Sequence, residues 1–166
     1  MSGDRRLLTG WMNNWTYAQQ VPTAPRRSAQ SVPRELSLRT LDGRVRLVQQ
    51  PVAEFKRLRS GLLYSVSALD MAAGLEPIPL SGNTGPMEFE LRLEPGKASR
   101  AGIRLRSGAQ GQQTDVGYDS ALGQLYLDRH RAGEHSFHPE FPIGRSRRYR
   151  CEMDSSACAS WSIAHR

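Results

Sequence analysis

Residues 87–141, MEFELRLEPGKASRAGIRLRSGAQGQQTDVGYDSALGQLYLDRHRAGEHSFHPEF, decide the fold class. At their start Met87, Phe89, Leu91 and Leu93 alternate with Glu88, Glu90, Arg92 and Glu94, the period of two that makes one face of a β-strand apolar and leaves the other charged. Pro95-Gly96 breaks the run. Ile103 and Leu105 then alternate with Arg104 and Arg106, and Ser107-Gly108 ends that second strand. Beyond a polar Gly/Gln loop, Thr114, Val116 and Tyr118 share one face, residues 120–123 have turn chemistry, and Leu125 and Leu127 resume the alternation. Short strands at this spacing, each wet on one side, predict an all-β fold, an antiparallel β-sandwich or barrel.

Working upstream, residues 34–40 alternate Leu36 and Leu38 with Glu35, Ser37 and Arg39, and Asp42-Gly43 supplies the strongest hairpin signal in the chain. Residues 44–50 form the return strand, which Pro51 ends. Val52, Phe55 and Leu58 follow at helical spacing, for two turns of helix or for an irregular segment. Residues 72–86 hold three glycines and three prolines and are expected to be a loop, and residues 21–33, with Pro22, Pro25 and Pro33, an extended connector. Further back, residues 7–15 set Leu7, Leu8, Trp11, Met12 and Trp15 around Gly10, which predicts a buried strand and then a polar bend at Asn13-Asn14. Trp11 and Trp15 beside Asn13 and Asn14 also suit a sugar-binding surface, where indoles stack on sugar C–H faces and amides bond hydroxyls; packing at a strand end is the plainer use of the same residues.

A chain of 166 residues buries roughly 70% of its unfolded surface, room for one full domain, or one and a remnant of another. With 38% hydrophobic and 23% charged residues and no apolar run near the roughly 20 residues of a membrane span, it is not expected to cross a bilayer. The opening MSGDRRLLTGWMNNW has basic residues without the apolar segment of roughly 7–15 residues that follows them in a secretory signal peptide, so none is expected. A net charge of +7 would suit an anionic partner, yet the arginines alternate along strands or sit in loops, which argues against nucleic acid. Cys151 and Cys158 have no metal-type spacing.

The order GWMNNWTYA (10–18), PT (22–23), PREL (33–36), LEPG (93–96), GIRLRSG (102–108), GYD (117–119), LYLDR (125–129) and FHPEF (137–141) resembles the C-terminal part of glycoside hydrolase family 32, the fructan-cleaving levanases, inulinases and invertases. The resemblance implies a two-sheet, jelly-roll-like β-sandwich after the end of a five-bladed β-propeller, with residues 1–20 as the remnant of the last blade, 21–33 as the linker and 34–166 as the sandwich, incomplete after about 145. It implies retaining hydrolysis of O-glycosidic bonds in levan, inulin or sucrose by two carboxyl groups, roughly 5–5.5 Å apart, lying upstream. WMNN (11–14) is not the family's Trp-Met-Asn-Asp-Pro-Asn-Gly nucleophile motif, which lies near the family's N-terminus: Asn14 stands where that motif needs a carboxylate, a role an amide cannot take, and Trp15-Thr16 follows instead of Pro-Asn. The family's Arg-Asp-Pro motif is missing, its Glu-Cys motif occurs only reversed as Cys151-Glu152, and Pro25, Arg26, Arg27 and Ser28 replace its Trp-Arg-Gly. Related enzymes are often secreted or periplasmic. No catalytic residue, cofactor or metal is therefore expected here.

His135 and His138 have metal-like spacing, but Phe137, Pro139 and Phe141 around them predict a strand or loop. Asp119 is expected to cap its turn and Asp128 to pair with a neighbouring arginine. From residue 142 on the alternation fades, and the family's closing strands find only a faint echo in Met153-Asp154-Ser155-Ser156. Three readings follow: a fructan-hydrolase fragment whose partner is the missing propeller and whose open sheet edge invites self-association, a freestanding carbohydrate-binding module using Trp11, Trp15 and Tyr17, and a basic interaction protein using Arg145, Arg147, Arg148 and Arg150.

Overall fold

The computed structural model describes residues 4–142, apart from 28, 42, 68, 72, 73, 76, 79 and 81–85, together with the strand at residues 159–164. Cys151, Cys158, Asp42, the Met153-Asp154-Ser155-Ser156 echo and the arginines at 145, 147, 148 and 150 lie outside the described residues. Every strand pairing among the described residues is antiparallel, and no α-helix occurs among them, so the chain is all-β as its alternation requires. The chain divides into two compact units, Met1–Asn13 with Ser28–Thr84 and Asn14–Arg27 with Gly85–Arg166.

In the first unit, β1 (Arg6–Leu8), β2 (Arg34–Leu41) and β3 (Arg44–Pro51) form one sheet in that order. Leu41 pairs with Arg44, so β2 and β3 are joined by the two residues 42 and 43, and Gly43 takes φ 70°, the left-handed conformation that a two-residue hairpin turn demands and glycine supplies without strain. Register puts Leu38 opposite Leu47 and Thr40 opposite Val45 on one face, and all three apolar side chains there are exposed.

The buried strand expected over residues 7–15 is corrected: it is only three residues long, and all three are exposed. Beyond it the backbone is laced to residues 29–31 instead. Met12 N–H donates to the Ala29 carbonyl at 2.7 Å, Ser31 N–H to the Gly10 carbonyl at 2.7 Å, and the buried Ser31 Oγ accepts from Gly10 N–H at 2.9 Å. These bonds satisfy backbone groups that a longer β1 would have paired with β2. Helical spacing after Pro51 becomes a 3-10 helix, Ala53–Leu58, behind the buried Val52, and its Glu54 joins Glu35 in gripping the Arg5 guanidinium.

The second unit holds two antiparallel sheets, the two-sheet class of a β-sandwich. One pairs β4 (Glu88–Leu93) with β8 (Ala159–Ala164), and the other runs β5 (Arg100–Leu105), β6 (Gln113–Asp119), β7 (Gln124–Arg131). Each residue of β4 that the alternation marks as apolar is half-buried and each charged one is exposed. Strand β8 lies in the tail, beyond the stretch where the family's closing strands find only a faint echo. Ala159, Trp161 and Ile163 alternate with Ser160 and Ser162, and the register sets them opposite Leu93, Leu91 and Phe89. Local order also comes from Tyr17, which is buried to 7% exposure with its ring 5.9 Å from Phe137, 5.4 Å from His138 and 5.8 Å from Phe141. The Arg129 guanidinium sits 4.2 Å over the Phe141 ring, and this aromatic knot ties residues 14–20 to the segment after β7.

Candidate functional site

The charged face of the β5-β6-β7 sheet concentrates the polar chemistry of the second unit. Register stacks three rows across it: Arg100–Asp119–Gln124, Gly102–Gly117–Tyr126 and Arg104–Asp115–Asp128. In the middle row the two strands approach so closely that a Cβ on Gly102 would lie 2.3 Å from the Val116 carbonyl oxygen, and one on Gly117 2.3 Å from that of Ala101 and 2.6 Å from the Tyr126 hydroxyl. Two glycines thus leave a furrow into which the Tyr126 ring leans, with the Arg100 guanidinium 5.3 Å from its centroid. Burial pushes the Tyr126 hydroxyl up from its ordinary proton affinity.

Ion pairs flank that furrow. On one side Arg100 Nε donates to Asp119 Oδ2 at 2.8 Å, while Asp119 Oδ1 accepts from Leu122 N–H at 3.0 Å, so Asp119 caps the β6–β7 turn as its position suggested. The Arg100 bond, followed by the backbone donor, holds the Asp119 carboxyl below the usual carboxylate range. On the other side Arg104 grips Asp115 with two bonds of 2.8 Å, and Gln113 Nε2 adds a third to the same carboxylate at 3.1 Å. Asp128 pairs with His130 rather than with the expected arginine. Two residues apart on one strand face, the carboxylate reaches both the His130 backbone N–H, at 3.0 Å, and its ring Nδ1, at 2.7 Å. Those two bonds, the backbone one first, pull the Asp128 proton affinity down.

The register shifts between Gln113 and Asp115 at the start of β6, where β7 carries one more residue between Asp128 and Arg131, and beside this bulge opens a cavity of about 300 Å³ lined by Gln113, Asp128, His130 and Arg131. Glycoside hydrolysis needs a carboxyl kept protonated near neutral pH as general acid. Asp119 and Asp128 both move the other way, so they suit accepting hydrogen bonds and not donating a proton. Among the described residues no group of three or more His, Cys, Asp or Glu converges as a metal site; His135 Nδ1 lies 2.7 Å from the Gly133 carbonyl and His138 Nδ1 accepts from Glu140 N–H at 3.2 Å.

Of the aromatic and amide residues singled out for sugar binding, Trp11 and Asn13 belong to the first unit and Asn14 and Trp15 to the second. Trp11 bridges to Gln30 and is 41% exposed. Asn14 shapes a turn, its Oδ1 accepting from Thr16 N–H at 2.9 Å and its carbonyl from Tyr17 N–H at 3.2 Å, and Trp15 at the tip of that turn is 86% exposed. Tyr17 is buried and offers no face to a ligand. The polar rows of the sheet escaped sequence reading because each side chain alternates correctly on its own strand. Only the glycines, one in each of two strands that alternate around them, signalled a close approach.

Two family models match consecutive stretches: the N-terminal domain of glycosyl hydrolases family 32 matches residues 1–51, and the C-terminal domain of that family matches residues 54–152. Among curated relatives, the levanase of Bacillus subtilis (strain 168) is 40% identical over 147 residues, 85% of this chain and 21% of the levanase. The extracellular exo-inulinase inuE of Aspergillus niger is 38% identical over 134 residues, 80% of this chain and 25% of the relative. The crystal structure of exo-inulinase from Aspergillus awamori superposes with a TM-score of 0.73 at 30% identity, covering 99% of this chain and 32% of that one. The chain thus spans a fifth to a third of the length of these relatives. With consecutive stretches matched by the N-terminal and C-terminal domain models of one family, on antiparallel sheets throughout the described residues, the chain belongs to glycosyl hydrolase family 32.

Proposed function

We infer that this chain is the non-catalytic C-terminal part of a fructan-hydrolysing enzyme of the levanase and exo-inulinase type, an ancillary β-sandwich whose partner is the propeller that carries the catalytic carboxylates. The consecutive match to both family domains is the observation that carries it. The downward shifts of Asp119 and Asp128 support it. The pairing of β1 with β2, together with the match of residues 1–51, supports a domain boundary between 51 and 54, with β1, β2 and β3 as the end of the propeller part and the sandwich following.

The purified chain is expected to release no fructose from levan, inulin or sucrose. Added to the separately produced N-terminal part of the Bacillus subtilis levanase, it should raise that part's melting temperature and its levan hydrolysis. Fructose release by the chain alone, abolished by changing one of its own residues, would overturn the reading; so would a complete lack of effect on the levanase part.

A second reading, a sugar-binding module, is favoured by one observation: Trp15 exposes 86% of its surface at the tip of a turn shaped by Asn14. Stacking on this indole and on Trp11 predicts that Trp15→Ala and Trp11→Ala each weaken retention on an immobilised fructan, by about 1 kcal/mol. Unchanged retention of both variants would remove it.

A further inference from the structure

We propose that the cavity at the bulged end of β6, lined by Gln113, Asp128, His130 and Arg131, is a sugar-binding subsite that takes one terminal unit of a fructan through its neighbouring hydroxyls. The inference rests on the fructan reading above for the identity of the sugar, and on the geometry for the rest.

The lining contains one carboxylate, one guanidinium, one imidazole and one amide, so it is close to neutral overall and favours neither an anion nor a cation. Its described lining residues are all polar or charged, so it gives an apolar ligand little to bury against. What it offers is a closely spaced mixture of acceptors and donors, which is the complement of adjacent hydroxyls, each both donor and acceptor. A volume of about 300 Å³ stands at the small end of ligand pockets, enough for a single sugar unit and too little for a longer stretch of polymer.

The lining is also held in place. Asp128 Oδ1 is fixed by the His130 backbone N–H and ring Nδ1, which holds the carboxylate and the imidazole of the lining together. Gln113 is anchored through its Nε2 on Asp115, itself clamped by Arg104, so its carbonyl oxygen is presented at a set angle. Such anchoring cuts the ordering cost of binding.

The test uses the full chain, titrated with a short β-2,6-linked fructo-oligosaccharide and, as control, a cello-oligosaccharide of equal length, by calorimetry and by the NMR signals of the imidazole C–H groups. Wild-type protein should bind the fructo-oligosaccharide, with the His130 signals shifting on titration. Asp128→Asn and Gln113→Ala should each weaken binding at least tenfold with melting curves unchanged, whereas Trp15→Ala leaves the His130 shift intact. If Asp128→Asn fails to fold, Arg131→Ala and the wild-type His130 signals decide the matter. Binding that survives Asp128→Asn, Gln113→Ala and Arg131→Ala alike, or a His130 spectrum indifferent to the fructo-oligosaccharide, overturns the subsite while leaving the family-based function standing. Equal affinity for both oligosaccharides overturns its assignment to fructan. Activity of the chain mixed with the levanase part tests the function independently of this cavity.

Discussion

The β1-β2-β3 sheet of the first unit and the β5-β6-β7 sheet of the second have the same strand number, the same antiparallel order and the same period-two code, yet they treat their side chains in opposite ways. In the first, the apolar row of Leu38, Leu47 and Val45 is exposed, and its best-held charges, Arg5 with Glu35 and Glu54, sit at the strand ends beside the 3-10 helix. In the second, Ile103, Val116 and Leu125 are half-buried, and the charged face is cross-wired by Arg100–Asp119 and Arg104–Asp115 over a glycine furrow. Alternation therefore says which residues share a face, and the packing around the sheet says which face is used.

The sharpest way to break this contrast is through glycines that serve different ends. Gly117→Ala places a methyl group 2.3 Å from a backbone oxygen and 2.6 Å from the Tyr126 hydroxyl, so strands must separate; a loss of about 1–3 kcal/mol in urea unfolding is expected, with Tyr126 fluorescence changed. Gly43→Ala meets nothing within 4 Å and suffers only the left-handed φ of 70°, at about 1 kcal/mol. Equal losses for the two would mean that the furrow is not tight.

A matched pair of valines asks the same question more gently. Val116→Thr puts a hydroxyl on the half-buried face of β6 and should cost about 1 kcal/mol, whereas Val45→Thr on the exposed row of β3 should change stability by less than about 0.5 kcal/mol. Because exposed apolar rows bind other surfaces, Leu38→Thr with Leu47→Thr should lower hydrophobic-dye binding and any concentration-dependent sedimentation of the chain. A dye signal unmoved by that double change would place the sticky surface elsewhere.

The smallest effect expected is on acid stability, and its sign follows from the ion pairs. The Arg5 hydrogen bond, helped by the backbone, pulls Glu54 from 4.5 to about 2, and Asp119 and Asp128 also move down from 3.8. A carboxyl whose folded value lies below its unfolded one adds stability above the unfolded value and loses it as pH falls toward the folded one. Urea midpoints should therefore agree at pH 7 and pH 6 and decline below about pH 4.5. Salt should weaken the Glu54 part more than the Asp119 part, since the Glu54 side chain is half-exposed and that of Asp119 is 9% exposed. A decline that begins near pH 6 would point to a histidine instead.

Much of this fold was legible because its signals are local. Met87 to Leu93, Ile103 with Leu105, Thr114 to Tyr118 and Leu125 with Leu127 each announce a strand within a few residues, and Asp42-Gly43 announces a hairpin. The candidate site was less legible. Asp119 as a turn cap follows from its position, but the partner of Asp128 was misread because His130, two residues on and facing the same way, competes better than any arginine. Trp15 proved exposed and Tyr17 buried although both stand in the same aromatic run, a difference set by Phe137, His138 and Phe141 more than a hundred residues later.

By itself the sequence determined that this chain is all-β, where its turns fall, which side chains alternate and which family's motif order it carries. Tertiary structure alone decided that β4 pairs with β8 rather than with β5, that Arg104, Asp115 and Asp128 fall in one row, and that a bulge beside Gln113 opens a cavity next to Asp128 and His130. The physical reason is that a side-chain period of two is written in each strand's own residues, whereas register and partner choice depend on hydrogen bonds between backbones that are chemically alike everywhere. Only packing and loop length select among those pairings.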